Sequence, residues 1–322
     1  MKNNSIKRMD TFLKIALSIL FFPLSIAQKL ISKWEISRFP PSGKIVDIGH
    51  YQLHAIRTGK GGPTVILEAG MGGYSLDWAL VQPEISKRAT VVSYDRVGYG
   101  WSKGNANLAT SENYVTDLKM LLDKLNLMPP YILVGHSYGG LNMRLFAAKY
   151  PEEVSALILI DSVHEQYYLQ EFMSDERKIK FRAAVKLNKL GYLFSSLGLL
   201  RMVKVQVGTK SLPPNFLKMS KTLGYQSSAY KTVYAELLSS EQSAKQVVAS
   251  NTIPDYIPIT IISAGRQTEE WKQQQSMLLM LNKNTKQLIV KDSWHSIQLY
   301  NPEIVISAIN QAITKMEETI SI

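Results

Sequence analysis

Cysteine is absent from the 322 residues of the chain. That excludes disulfide bonds, thiolate nucleophiles and cysteine-held zinc, and it leaves the redox compartment open. Histidine is scarce, with five in all. His50 and His54 fall in or beside an expected hairpin with no acidic or histidine cluster near them, so they read as strand surface residues rather than metal ligands. Neither G-x-G-x-x-G nor a Walker lysine accompanies the glycine-rich stretch Ala69-Gly70-Met71-Gly72-Gly73, which argues against nucleotide binding. Internal repeats and low-complexity tracts are also missing. Acidic residues are outnumbered, 26 against 37 Lys and Arg, for a formal charge of +11. No nucleic-acid motif goes with that charge, so nucleic acid is not an expected partner. The excess gathers at the N-terminus (Lys2, Lys7, Arg8, Lys14) and between Arg177 and Lys221, a distribution that suits an anionic membrane surface or a generally basic, solvated one.

What is present fits a packed globular protein: 45% hydrophobic and 20% charged residues, in a chain long enough for one large α/β domain with an insertion or for two small domains. The one long uncharged apolar run, Ile15 to Ala27, is short for a spanning helix. It reaches spanning length from Phe12 to Ile31 if Lys14 and Lys29 extend to the interfaces. Residues 1–43 are therefore read as a membrane-directing segment and linker. A retained anchor with its basic end in the cytoplasm competes with a secretory signal cleaved near Ala27, where Ser25 and Ala27 have signal-peptidase spacing. A third reading is an amphipathic helix packed on the domain. Lys33 to Gly43, with Pro40-Pro41-Ser42-Gly43, is expected to be the linker.

From Lys44 onward strands and helices alternate. Lys44 to Ile48 and Tyr51 to Arg57 read as a hairpin, and Thr64 to Glu68, Ala89 to Tyr94, Tyr131 to Val134 and Val154 to Ile160 as buried strands. Ser111 to Leu125 has helical apolar spacing. This rhythm predicts a mostly parallel sheet whose ligands bind beyond the carboxyl ends of its strands. Between about residues 165 and 253 it gives way to a basic, helix-leaning insertion, and it resumes at Ile257 to Ser263 and Lys286 to Val290.

Within that pattern, Gly135-His136-Ser137-Tyr138-Gly139 is a G-x-S-x-G motif between a strand and a helix, a context that exposes the serine hydroxyl at the carboxyl end of a sheet with a helix N-terminus beneath it. Asp95-Arg96-Val97-Gly98-Tyr99-Gly100-Trp101-Ser102 is a second segment of Asp-Arg-x-Gly-x-Gly-x-Ser form. Ser293-Trp294-His295-Ser296-Ile297 follows the last strand. On these residues the chain, from about Val46 to Ala312, resembles the α/β-hydrolase family. The resemblance implies an α/β-hydrolase fold with a mostly parallel, eight-stranded-type sheet in residues 44–322 and a helical cap at about 165–253. It also implies that Ser137 is the nucleophile and His295 the general base and acid. The Asp95 to Ser102 turn is expected to be structural, and His136 to point away from the nucleophile.

Where the family usually reads His-Gly-x, this chain has Ala69-Gly70-Met71. The oxyanion donors are main-chain groups, and Met71 N–H and Tyr138 N–H are the candidates. The acid is open. The position three residues after Gly265 is Thr268, which cannot serve, leaving Asp161 at the end of the strand after the nucleophile helix, or Glu270, with Asp161 preferred. The expected chemistry is hydrolysis of a small ester-type substrate, apolar in its acyl part if the cap's Leu190 to Val203 segment lines the pocket, with no metal or organic cofactor. A serine peptidase or amidase on the same triad, and a non-catalytic ligand-binding protein on a hydrolase scaffold, are the alternatives.

Overall fold

In a computed structural model, which describes residues 2–104, 109–209 and 211–320, the chain opens with helices α1 (Lys2–Leu20) and α2 (Phe22–Arg38), followed by β1 (Lys44–Asp47), β2 (Gln52–Thr58) and β3 (Thr64–Glu68). Next come α3 (Gln82–Ile85), β4 (Thr90–Tyr94), α4 (Ser111–Lys124), β5 (Tyr131–His136), α5 (Tyr138–Lys149) and β6 (Val154–Ile160). The insertion holds α6 (Asp175–Phe194), α7 (Leu199–Met202), α8 (Pro214–Gly224) and α9 (Ser227–Val248). The core is completed by β7 (Ile259–Ala264), α10 (Glu269–Met277), β8 (Thr285–Val290), α11 (Ile297–Tyr300) and α12 (Pro302–Ile320).

The eight strands form one sheet in the order β1-β2-β4-β3-β5-β6-β7-β8. β1 and β2 are antiparallel, and every pairing from β3–β4 to β7–β8 is parallel. The central strands are buried on both faces, as their unbroken apolar runs require. One side packs on α4, α5 and the cap through residues such as Leu118, Leu133 and Phe146; the other packs on α12 through Val134, Ile158 and Ile309. Leu76 to Ser86 forms two short pieces, a 3₁₀ turn at Ser75–Trp78 and then α3, because Pro83 fits the first turn of a helix but not its interior.

Three expectations change. His54 is fully buried: its Nδ1 lies 2.9 Å from Asp95 Oδ2, and its Nε2 accepts from Gly43 N–H, so it is a core residue of β2 and no part of a strand surface. His50, by contrast, lies at the surface beside Asp117. The linker is shorter than composition suggested, since α2 continues through Ser32-Lys33-Trp34 to Arg38 and only residues 39–43 are non-helical before β1. The apolar N-terminal run is not one helix either: α1 and α2 meet at Phe21 with a 101° bend, and among the described residues no single helix is long and apolar enough to cross a membrane.

The turn from β5 into α5 depends on bare glycine. A Cβ on Gly135 would lie 2.6 Å from Gly140 Cα and 2.7 Å from Gly139 O, main-chain atoms that cannot move without opening the turn. Gly135→Ala is therefore expected to cost about 1–3 kcal/mol through overpacking and to lower the midpoint of thermal unfolding by about 2–10 °C, measurable by scanning calorimetry.

Candidate active site

Parallel register places the key residues side by side. His136 of β5 pairs with Ile160 of β6, and the next residue on each strand, Ser137 and Asp161, leaves the sheet with positive φ, 52° and 39°. For non-glycine residues this backbone is strained and persists only where the surroundings hold it. Here Ser137 N–H donates to Ile160 O (3.0 Å) and Asp161 N–H to Ile262 O (2.7 Å), so the neighbouring strand fixes each turn.

Asp161 is fully buried, and its carboxylate receives four donors. Oδ1 accepts from Ala264 N–H (3.0 Å) and Trp271 Nε1–H (3.1 Å), and Oδ2 from Gln267 Nε2–H (2.6 Å) and His295 Nδ1 (2.6 Å). Burial works to raise its pKa, but the hydrogen bond and charge of His295, with the other donors, outweigh burial and hold it below the usual carboxylate range. His295 sits in the loop after β8 and is about two-fifths exposed, so its ring faces a solvent-reachable space while Nδ1 is anchored inside. The two candidate acids thus separate. Asp161 is bonded to His295, whereas Glu270 in the first turn of α10 lies 3.6 Å from Arg177 of the cap and is not brought to His295. Thr268 caps α10, accepting from Trp271 N–H.

His136 is buried beside His295, with ring centroids 4.7 Å apart, and its Nε2 hydrogen-bonds the His295 carbonyl at 3.1 Å. Burial first, and then the neighbouring imidazole, push its pKa down to about 3. It therefore stays neutral, and a positive charge that would oppose protonation of His295 never forms there. Instead of simply pointing away from the nucleophile, it braces the loop that carries His295. His164, at the start of the insertion, is buried beside Glu165 and takes no part in this cluster.

The glycine loop after β3 closes over the serine. A Cβ on Gly70 would lie 3.0 Å from Ser137 Cβ, which puts the loop carrying Met71 next to Ser137 and the N-terminus of α5, where Tyr138 begins the helix. Arg96, buried, holds this loop by donating from Nη1 to Ala69 O (2.5 Å) and from Nη2 to Gly70 O (2.8 Å). It also pairs with Glu68 of β3 (3.3 Å) and with Glu236 of cap helix α9 (3.0 Å). Tyr99 O–H donates to Glu236 (2.6 Å) and accepts from Gly72 N–H (3.1 Å). Asp95 receives Ser75 N–H and Trp101 N–H, and Ser102 O–H donates to the Asp95 carbonyl, so the Asp95 to Ser102 turn is an internal brace, in keeping with its expected structural part. Sequence reasoning missed Gln267, Trp271, Arg96 and Glu236 as partners of the site. The Asp-Arg-x-Gly-x-Gly-x-Ser segment signalled Arg96; nothing in the spacing of Glu236, some 140 residues away, could have done so.

Comparisons with known proteins agree on the fold. A family profile described as the alpha/beta hydrolase fold matches residues 63–190. The chain has the α/β-hydrolase fold. It is 26% identical over 259 residues to the uncharacterized protein YqjL of Bacillus subtilis, covering 79% of this chain and 84% of that one. A candidate lipase from Acinetobacter baumannii superposes with a TM-score of 0.66 at 20% identity, covering 91% of this chain and 97% of that one. The epoxide hydrolase CorEH superposes with a TM-score of 0.66 at 16% identity over 85% of this chain and 98% of that one. These structural likenesses show the fold and leave the chemistry to the site itself.

Two outcomes follow from the geometry. Asp161→Asn should lower kcat by about 10³–10⁴ by disturbing the tautomer and orientation of His295, while Glu270→Gln should leave it within about twofold, read with one chromogenic ester for both variants. The second concerns Glu68, which burial pushes up to about 7 against the pull of Arg96 and Asn142. One guanidinium faces two buried carboxylates. A carboxyl whose pKa is raised on folding contributes stability below its unfolded pKa and loses it as pH rises through the folded value. Stability should therefore fall from about pH 5 to pH 8, by on the order of 3 kcal/mol from this group. Glu68→Gln should flatten that slope in urea unfolding series, leaving the share of Asp77, which burial also raises to about 7.

Proposed function

We propose that the chain is a serine hydrolase that cleaves carboxylic esters through an acyl-enzyme. The observation that carries this reading is the 2.6 Å hydrogen bond from His295 to the fully buried, four-donor Asp161, one strand position from a Ser137 held at φ 52°. A serine hydroxyl is a weak nucleophile near neutral pH and needs a base, which this pair supplies in a fixed tautomer. In the proposed reaction Ser137 Oγ attacks the ester carbonyl and gives its proton to His295. Asp161 stabilises the imidazolium that results, and the negative oxygen of the tetrahedral intermediate is held by Met71 N–H and Tyr138 N–H. His295 then protonates the leaving alcohol. Water, deprotonated by His295, attacks the acyl-enzyme and releases the acid and free Ser137.

Each carboxyl group and oxyanion donor in this scheme belongs to the chain, and no step calls for a metal or an organic cofactor. Epoxide hydrolase is named among the proteins with this fold, and Ser137 stands where an aspartate nucleophile would be needed for that chemistry on the same elbow. The space over the glycine loop is apolar, since cap residues Val207 and Val233 come within about 3.5 Å of a Cβ on Gly72. That favours an ester with an apolar acyl part.

A fluorophosphonate probe should label the wild-type chain at Ser137, located by peptide mass spectrometry, and Ser137→Ala should remove both labelling and at least about 10⁴ of kcat/KM on short acyl esters. An intact fold that never labels, beside an esterase that does, would sink the reading. Higher turnover of aminoacyl amides than of matched esters would move it to a peptidase or amidase.

A further inference from the structure

The N-terminal helix pair is turned inside out. A helix packed on a soluble protein buries its apolar stripe and shows its polar one. Here the polar side chains face the cap: Asp10 is 1% exposed, bonded to Tyr234 O–H (2.8 Å) and Lys189 (2.7 Å), and Lys14 bonds Ser195 and Ser227. On α2, Gln28 donates to the Tyr225 carbonyl (3.2 Å), and Glu35 pairs with Arg201 (2.6 Å). The large apolar side chains face outward, among them Phe12 (73%), Ile19 (69%), Leu20 (71%), Phe22 (60%), Leu30 (62%) and Trp34 (59% exposed). The same surface continues onto the cap beside the residues that hold the pair, where Leu187, Met202 and Val203 are each at least 66% exposed. Contiguous exposed apolar surface of this kind marks a contact with an apolar phase or a partner.

We propose that this face is an in-plane membrane anchor: α1 and α2 lie along the surface of an anionic bilayer, apolar side down, with the cap pressed against it. Two observations choose this occupant. The 101° bend sets the two helices nearly at right angles, neither alone long and apolar enough to cross a bilayer, and both arms carry exposed apolar side chains as an in-plane helix does. The two stretches of sequence that carry the face are predominantly basic, although Arg177, Lys178 and Lys180 pair with Glu270, Asp175 and Glu176. Residues 177–221 carry eleven Lys and Arg and no acidic residue. In residues 1–43, seven basic residues meet only two acids, Asp10 and Glu35, and both are already paired inward with cap cations. Anionic headgroups complement that field, and a second copy of the same basic chain does not. This proposal is independent of the hydrolase chemistry.

The test uses the full chain added to preformed vesicles. Binding in a sedimentation assay should be at least about tenfold stronger on phosphatidylcholine vesicles with about 30% phosphatidylglycerol than on phosphatidylcholine alone, and should weaken with salt. The double variant Ile19→Asp/Leu30→Asp, at exposed positions, should lose at least about tenfold in binding while its circular dichroism and melting midpoint stay those of wild type. Because the chain has no cysteine, Lys2→Cys and Ser37→Cys give clean single thiols. An impermeant maleimide outside the vesicles should label both. Protection of Lys2→Cys alone would mean a spanning segment and overturn the in-plane reading. No vesicle binding, equal binding by the double variant, or a solution dimer that the double variant dissolves would overturn it as well, the last in favour of a second copy.

Discussion

The hydrogen bond between the Asp161 carboxylate and His295 is the contact around which the carboxyl end of the sheet is arranged. Asp161 comes from β6, Gln267 and Trp271 from the loop and helix after β7, and His295 from the loop after β8. A buried carboxylate left short of donors is costly, so these segments are held together by the need to satisfy one group. That explains how the loop after β7 can lack an acid of its own. Its Gln267 and Trp271 supply donors to an acid at the end of the neighbouring strand, the same acid that holds His295.

A second buried group joins the site to its roof. Arg96 binds two carbonyls of the glycine loop, a core carboxylate and a cap carboxylate, so the loop next to Ser137 and helix α9 share one guanidinium. Tyr138, the residue after Ser137, ties the same region to the cap through its hydroxyl and Ser243 (2.8 Å). Buried ionic contacts of this sort add little net stability, because desolvation offsets the attraction, but breaking one partner is expensive. Their effect here is positional. The cap is registered on the site by polar contacts, and its apolar residues are free to shape the space above the glycine loop.

The N-terminal pair extends that logic outward. Its polar bonds run to the cap, among them one to Tyr234 of α9, the helix whose Glu236 meets Arg96, so its outer face is tied to the element that holds the glycine loop. On an anionic bilayer, this arrangement would bring the cap to the interface where apolar esters concentrate. The apolar run that composition marks at Ile15 to Ala27 is divided between two helices that meet at Phe21. It is half of a bent platform whose orientation is set by Asp10, Gln28 and Glu35.

Much of this was legible in the order of residues. Unbroken apolar runs alternating with helical spacing can bury themselves only in a parallel sheet between helices, and Gly135 to Gly139 between a strand and a helix can only be a tight elbow, since a Cβ at Gly135 would strike the main chain of Gly140. Local periodicity and local sterics determine such features, and the sequence alone carries them. It did not show that His54 is core, that the linker is mostly helix or that the N-terminal run bends at Phe21, because burial and bending depend on what packs against a segment. It preferred Asp161 to Glu270 without excluding the latter, since spacing left both as alternatives. That choice belongs to the register of β5 on β6 and to the reach of Arg177, contacts made across more than a hundred residues. The sequence determined the elements and the chemistry-bearing residue types; the tertiary structure decided which carboxylate meets His295 and which face of the N-terminal helices looks outward, because distance and burial exist only once the chain has packed.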